Sequence, residues 1–402
     1  MMNEKSTKVL LETAGGWKAA SAKLMADFKG SKNKELVTKQ CLDNFRKTMI
    51  TEGYNGVTSA SDISFIGSVI LPLNRRVMPT LMAHDLVGVQ ALKTPLGQIG
   101  TLRTKFASTV PTDKSGVIAG EEALGPYLGD TPYYSGNGNV AQPGAAVTAA
   151  LESQVGPKMS VEIVMEKVEA KTRKLSAQWT PEAMQDAQST WSVNLQNEIT
   201  ATLAQQIGLD KDRELLFALR ALAGVAVDTY DQNAVSGVAT SVVDEHAALA
   251  VMIQRYSNKI AKKLRQGAAN WAVVTTDQET MLQSAGASRF VATTQGEFEA
   301  PTNNKQVGTL NGYMKVYADT YADDSEDILI GFKGQGEANA ALIYCPYVEV
   351  LSTPTITDPN TFNQVIGMMT RYGIAMLTNS NNSFGNAGDY LSRIAVRNAR
   401  YI

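Results

Sequence analysis

Apolar positions in the first fifty residues recur at helical steps. Leu10, Leu11, Ala14, Trp17, Ala20, Leu24 and Phe28 fall three and four residues apart, as one face of an amphipathic helix does. A second set, Leu36, Val37, Cys41, Leu42, Phe45 and Met49, follows Gly30 and Ser31. Helices this short are marginal alone and need a surface to lie on. They read either as a pair of surface helices or as an assembly tail that meets a scaffold or a neighbouring subunit. From Gly53 to Ser68 the chain is polar and contains glycine, which suits a hinge or extended arm. Ile70 to Val89 is apolar, but Pro72 and Pro79 rule out a single long helix there.

The middle of the chain changes period. Gln98 to Phe106 alternates imperfectly, whereas Val161, Ile163 and Met165 alternate with Glu162, Val164 and Glu166, and the pattern continues through Val168 to Arg173. Both stretches predict strands with one covered face. Between them, Ala107 to Pro157 is rich in Gly, Ala, Pro, Ser and Thr. A structureless loop of that length does not belong inside a compact domain, so a hairpin reaching away from the core, with a lobe at its tip, is expected. Thr180-Pro181-Glu182 supplies a hydroxyl cap, a first-turn proline and an acid, which together start a helix. Leu195, Ile199, Leu203, Ile207, Leu215, Leu216, Leu219 and Leu222 then predict a long central helix.

A further domain is expected from about Ser241. Val243, Ala247, Val251, Ile260 and Leu264 predict a helix ending at Gly267, with Lys259, Lys262, Lys263 and Arg265 near its negative end. Trp271 to Thr276 reads as a strand and Asp277 to Ser284 as a helix. Tyr313 to Ala318, Ile328 to Phe332, Ala341 to Val350 and Ile394 to Arg397 read as further strands. Helices and strands are interspersed without a doubly wound repeat, so the fold class is α+β.

Composition narrows the function classes. The 402 residues are 44% hydrophobic and 19% charged, enough to bury more than one core. A formal net charge of −2 lacks the basic excess of a protein that grips DNA through phosphates. Residues 1–52 alone carry a local excess, ten Lys and Arg against six acids. No apolar run is long enough to span a membrane, and Met1 to Lys8 lacks a signal-peptide core, so the chain is expected to stay in the cytoplasm where it is made. The two cysteines, Cys41 and Cys345, exclude a disulfide framework and read as small buried hydrophobes.

Candidate chemistry is sparse. His84 and His246 have no metal partners at recognised spacing and read as structural or solvated, with Asp244 and Glu245 serving to cap a helix start. Gly331, Gly334 and Gly336 around Lys333 invite a phosphate-loop reading, but the spacing matches neither common nucleotide fingerprint. Asp319, Asp323, Asp324, Glu326 and Asp327 cluster without the order of a calcium loop and read as a solvated turn. No catalytic, cofactor-binding or metal-ligating residue is assigned, and a non-enzymatic role is expected.

Several blocks are similar to the major capsid proteins of T-even-like tailed phages, in the family's order. They are Asn74-Arg75-Arg76-Val77-Met78-Pro79, Asp85-Leu86-Val87-Gly88-Val89-Gln90, Thr94-Pro95-Leu96-Gly97, and Glu169 through Thr180. Arg265-Gln266-Gly267-Ala268-Ala269-Asn270-Trp271 follows, then Leu310-Asn311-Gly312-Tyr313-Met314-Lys315-Val316-Tyr317 and Gly331-Phe332-Lys333-Gly334. Tyr344-Cys345-Pro346-Tyr347-Val348, Asp358-Pro359-Asn360-Thr361-Phe362 and Thr370-Arg371-Tyr372-Gly373 complete the set. The resemblance runs from Asn74 to the C-terminus, with 107–157 unmatched.

What the resemblance implies is an HK97-like phage capsid fold. Residues 1–52 would be a helical basic tail and propiece, 53–90 the N-arm and approach to the P-domain, and 91–175 the E-loop hairpin with its insertion at about 107–157. Residues 176–240 would form the P-domain with its spine helix, 241–340 the A-domain, and 341–402 the return through strands of both. It further implies hexameric and pentameric capsomers, a scaffold, a portal and a prohead protease as partners, and a virion shell enclosing DNA without specific binding, assembled in the host cytoplasm with no membrane. The family's maturation protease cuts after Leu/Ile-x-Glu, which Ile50-Thr51-Glu52 fits, placing the cut between Glu52 and Gly53. Leu10-Leu11-Glu12 fits too. Alternatives are a pentameric vertex paralogue, an encapsulin-like compartment shell, and a nucleotide-using enzyme built around Lys333.

Overall fold

The computed structural model describes residues 32–51, 82–107, 158–191, 195–235, 242–264, 266–285, 289–293, 305–323, 325–337, 339–353, 355–376 and 386–399, together with 109, 119, 120 and 148. The predicted helix at Leu10 to Phe28, the arm at 53–68, most of the 107–157 insertion, and Glu52 and Gly53 lie outside these residues.

Two sheets organise the body. Strands β1 (Gly88–Val89), β2 (Leu96–Phe106), β3 (Met159–Glu169), β4 (Lys171–Trp179) and β5 (Asp228–Asp231) come from the first half of the chain. They are followed by β6 (Trp271–Thr275), β7 (Phe290–Ala292), β8 (Lys305–Leu310), β9 (Met314–Asp319) and β10 (Ile328–Gly331). The last four are β11 (Ile343–Ser352), β12 (Ile356–Thr357), β13 (Gln364–Ala375) and β14 (Leu391–Arg397). One five-stranded sheet runs β1-β11-β13-β12, with β4 also antiparallel to β13 from Gln364↔Trp179 to Tyr372↔Lys171. A seven-stranded sheet runs β5-β14-β10-β6-β9-β8-β7. Among the described residues β2 and β3 pair only with each other, in unbroken antiparallel register from Leu96↔Glu169 to Phe106↔Met159.

The helices are α1 (Lys32–Thr51), the single turn α2 (Ala83–Leu86), α3 (Pro181–Trp191), α4 (Leu195–Ala223), the short α5 (Gln232–Val235), α6 (Val242–Leu264) and α7 (Thr276–Ser284). α4 is the predicted central helix, and α6 the predicted helix of the second region. α7 opens on a capping box, Thr275 with Gln278, which closes its first turn reciprocally. Strand β6 shows why the seven-stranded sheet is buried on both faces. Ala272 and Val274 pack with Leu249, Ile253, Tyr256 and Ile260 of α6, while Trp271 and Val273 pack with Leu215, Leu216 and Leu219 of α4. The first turns of α4 serve the other sheet, where Leu203, Ala204 and Ile207 meet Val350, Ile366 and Met368. One 29-residue helix therefore braces both sheets.

The structure corrects several expectations. The returning strand does not run on to Arg173: at the buried Ala170 the chain leaves the ribbon, and β4 joins the five-stranded sheet. β13, flanked by β11 and β4, lies at 364–375, where no strand was predicted; its alternate burial is half-masked in sequence by Arg371, Thr370 and two glycines. The face of β3 carrying Val161, Ile163 and Met165 is open, not covered. Finally, α1 is neither a surface helix nor a separate tail. Val37, Cys41, Leu42 and Phe45 are buried at 4% exposure or less, in two clusters shared with the body.

Candidate assembly surface

The β2–β3 ribbon is anchored at its base and buries Lys105 and Phe106 of β2 at its far end, but one face of β3 is open. At the base, Ile99 and Val168 are buried with Leu92 and Tyr347. Gly373 allows close approach there, since a Cβ at this position would lie 2.5 Å from Val168 Cγ1 and 2.7 Å from the Glu169 carbonyl oxygen. Further out, the odd residues of β3 project from one face: Met159, Val161, Ile163 and Met165 are 48%, 62%, 59% and 60% exposed. A two-stranded ribbon is marginal alone, and four large apolar side chains on one open face mark a surface built to be covered.

Other apolar side chains stand out singly. α3 has no buried residue, and its Trp191 is 76% exposed. Phe217 projects from α4, and Phe362 from the β12–β13 connection. Phe362 has φ 56, a left-handed conformation that strains a bulky residue. The turn is held by Asp358, whose backbone carbonyl accepts from Phe362 N at 2.8 Å and whose carboxylate accepts from Asn360 N and Thr361 Oγ1 at 3.0 and 2.9 Å. These bonds hold the exposed Asp358 carboxyl below the usual aspartate range.

Polar networks fix α4 between the sheets. Lys211 and Glu349 form an ion pair with both side chains 1% exposed; Lys211 Nζ also donates to the Glu349 carbonyl at 3.0 Å, and Tyr344 OH donates to Glu349 Oε1 at 2.8 Å. Beside it, Glu214 accepts from Arg173 and from the Tyr372 hydroxyl, and the Arg173 guanidinium lies 3.7 Å over the Tyr372 ring. At the other sheet, Arg220 meets Asp319 at 3.3 Å and Glu326 at 3.5 Å, while Arg393 meets Asp327 at 2.9 Å and Glu326 at 3.4 Å.

That last cluster overturns the solvated-turn reading for Asp319 and Asp327, which are 3% and 8% exposed with their charges met by arginines from α4 and β14, whereas Asp323 is exposed and Asp324 lies outside the described residues. The glycine patch is likewise structural. A Cβ at Gly331 would overlap the Trp271 indole, and one at Gly334 would overlap Asn339. Lys333, its amine pulled below the usual lysine range by burial, pairs with Glu337 at 3.7 Å and donates to the His84 carbonyl at 2.5 Å. Glu245 is not a simple cap: it is buried and accepts from Gln232 Nε2 at 2.7 Å. His246 bonds Ser284 through Nδ1. His84 is buried with neither ring nitrogen bonded among the described residues, and burial, reinforced by Lys34 and Lys333, pulls it down to about 3.

Both cysteines are buried and free, and burial pushes the thiol of Cys345 up to about 12 and that of Cys41 well above its ordinary range. A shallow groove of about 460 Å³ lies between Ala250, Val251, Gln254, Arg289, Asn311 and Tyr313. Its polar groups serve one another: Asn311 and Tyr313 both donate to Gln254, and Arg289 to the Ala247 carbonyl. Among the described residues no three His, Cys, Asp or Glu converge on a metal position, and no helix is long and apolar enough to cross a membrane.

Sequence reasoning missed Lys211, Glu349, Arg220 and Arg393. Lys211 left a signal, a charge on the apolar stripe between Ile207 and Leu215; the others left none, because their partners come from distant strands.

Known proteins place these features in context. The chain is 26% identical to the major capsid protein of Vibrio phage KVP40, covering 79% of this chain and 77% of that one. It is 24% identical to the major capsid protein of Enterobacteria phage T4, covering 81% and 78%. Among solved structures, the capsid of Myoviridae phage XM1 superposes with a TM-score of 0.45 at 9% identity, covering 77% of this chain and 89% of that one. The family model for the Gp23 major capsid protein matches residues 63–396, and the chain belongs to that family.

Proposed function

We propose that this chain builds the head shell of a tailed phage, assembling as hexamers and pentamers around the packaged DNA without gripping it. Membership of the Gp23 family supports the shell role. The observation that carries the assembly reading is the open apolar face of β3, from Met159 to Met165, on a ribbon whose two strands, among the described residues, pair only with each other. The ribbon then serves as the E-loop that lies on a neighbouring copy. α4 is the spine helix of a P-domain built on the five-stranded sheet, and the seven-stranded sheet with α6 forms the A-domain. The role is structural rather than catalytic, and its free energy comes from many repeated contacts between copies.

Assembly in the host cytoplasm uses a scaffold, a portal and a prohead protease, and the protease cuts between Glu52 and Gly53. Expression alone, and then with the phage's scaffold and protease genes, tests this by electron microscopy, sedimentation and intact mass. Closed shells, tubes or hexamer sheets are expected, with processed chains beginning at Gly53. A monomer that persists with all partners present would overturn the shell reading. Virion protein that retains residues 1–52 would overturn the cut.

A further inference from the structure

The helix-bearing segment just before the proposed cut is embedded in the body. α1 ends at Thr51, so Ile50-Thr51-Glu52 overlaps its last turn. The residues matched by the family model begin at 63, so α1 lies wholly before them, yet it fills the core of the matched body. Leu42 and Phe45 pack with Leu92, Cys345, Tyr347 and Val348, and Val37 and Cys41 with Val87, Val89 and Tyr344. Asn44 Nδ2 donates to the Leu92 carbonyl at 2.6 Å and to the Tyr347 carbonyl at 2.9 Å. Lys34 pairs with Asp85 at 3.5 Å.

The way α1 is held differs from the way the strands around it are held. A helix satisfies its interior backbone hydrogen bonds internally, whereas a strand leaves its ladder broken when it departs. β11 pairs with β1 and β13, and none of those ladder pairings runs through α1. What α1 contributes is side chains, among them an apolar stripe, the bidentate Asn44, Asn33 donating to the Val89 carbonyl at 3.5 Å, and the Lys34–Asp85 ion pair.

We propose that the surface of β1, β11 and the Leu92 segment is a helix-binding groove whose ligand is residues 32–51 of the chain, and that cutting behind Glu52 turns this helix from a covalent part of the subunit into a detachable peptide. The groove floor is apolar, and the two carbonyls of Leu92 and Tyr347 read the Asn44 amide. The ligand is thus an amphipathic helix with a carboxamide on its apolar stripe. Withdrawal bares the side of β11 that carries Cys345 and leaves those two carbonyls without their donor.

This rests on the cut proposed above, but its test does not. A foreign protease site is placed at 50–53 of the full chain, and the cut subunit is compared with the uncut one. Once α1 is gone, Cys345 is the only thiol, and its reaction with a thiol reagent reports the groove. We expect no labelling before cutting, labelling at least tenfold faster after the peptide is removed, and protection restored by a synthetic 32–51 peptide but not by its N44A/F45A form. Phe45→Ala in the uncut chain should raise Cys345 labelling with the circular dichroism spectrum kept. Two results overturn the proposal: a body that unfolds once α1 leaves, making α1 permanent core, and a body that stays folded with Cys345 still protected. Cutting by the phage protease elsewhere than Glu52 would sink the cleavage reading and leave these outcomes as they stand.

Discussion

Replacing Lys211 by Met should cost about 3–5 kcal/mol, because it strands the Glu349 carboxylate in the core. The structure shows what is lost. Both side chains are 1% exposed, so water does not replace the ammonium. The Glu349 backbone carbonyl loses its Lys211 donor, and the carboxylate keeps the Tyr344 hydroxyl at 2.8 Å as its one remaining donor among the described residues. Met matches the volume and flexibility of the lysine stem, so packing changes little. The double change Lys211→Met with Glu349→Leu removes both charges and leaves only the Tyr344 hydroxyl and one carbonyl unpaired, about 1–3 kcal/mol. Urea unfolding of the unassembled subunit closes the double-mutant cycle. A coupling of at least about 2 kcal/mol is expected, with the double variant more stable than K211M. A K211M variant within about 1 kcal/mol of the parent, or a coupling below about 0.5 kcal/mol, would refute the reasoning.

Gly331→Ala drives a methyl group into the Trp271 indole and should cost about 1–3 kcal/mol, read as a lowered melting temperature; an unchanged melt would refute the contact. His84, held at about 3 against an ordinary 6.5, binds fewer protons folded than unfolded between those values, so stability falls as pH drops below about 6.5, by about 2 kcal/mol at pH 5. His84→Leu should flatten that part of the urea-midpoint profile, and an identical slope would refute it. Arg393 serves Asp327, Glu326 and the Gly224 carbonyl at once, so Arg393→Lys should recover little of the about 2–3 kcal/mol lost in Arg393→Ala; full rescue by lysine, in the same unfolding assay, would refute the fork geometry.

Much of the architecture was legible because its signals are local. The Thr180-Pro181-Glu182 start, the apolar steps of α4 and the alternation of β3 each predict an element without knowledge of what it meets. The rest depends on pairings between distant residues. Nothing near Gln364 says that β13 is a central strand, since Arg371 and Thr370 look like surface residues until Tyr347 and Val348 are seen beside them. The acids near Asp319 look solvated because Arg220 and Arg393 are about a hundred and seventy residues apart. The candidate assembly face was half legible: its alternation predicted a ribbon, but the same alternation in a monomeric protein means a covered face. α1 was misjudged for a related reason. An amphipathic helix reads the same whether its apolar stripe meets a scaffold, a neighbour or its own body.

The parallel pairing of Gly88 with Ile343 sets an order of events in time. At ribosomal rates of about 5–20 residues per second, roughly 13–50 s separate the synthesis of these partners. Throughout that interval Val87, Val89 and Leu92 have no β11 to pack on, and by its end α4 can gather only the strands of the seven-stranded sheet made so far. A nascent chain halted before residue 343 therefore carries all seven described helices and strands β5 to β10, but lacks β11 and β13, the middle of the five-stranded sheet. A pairing this distant in sequence must close a long loop before it contributes, so contacts of this kind slow folding more than the local closure of helices does.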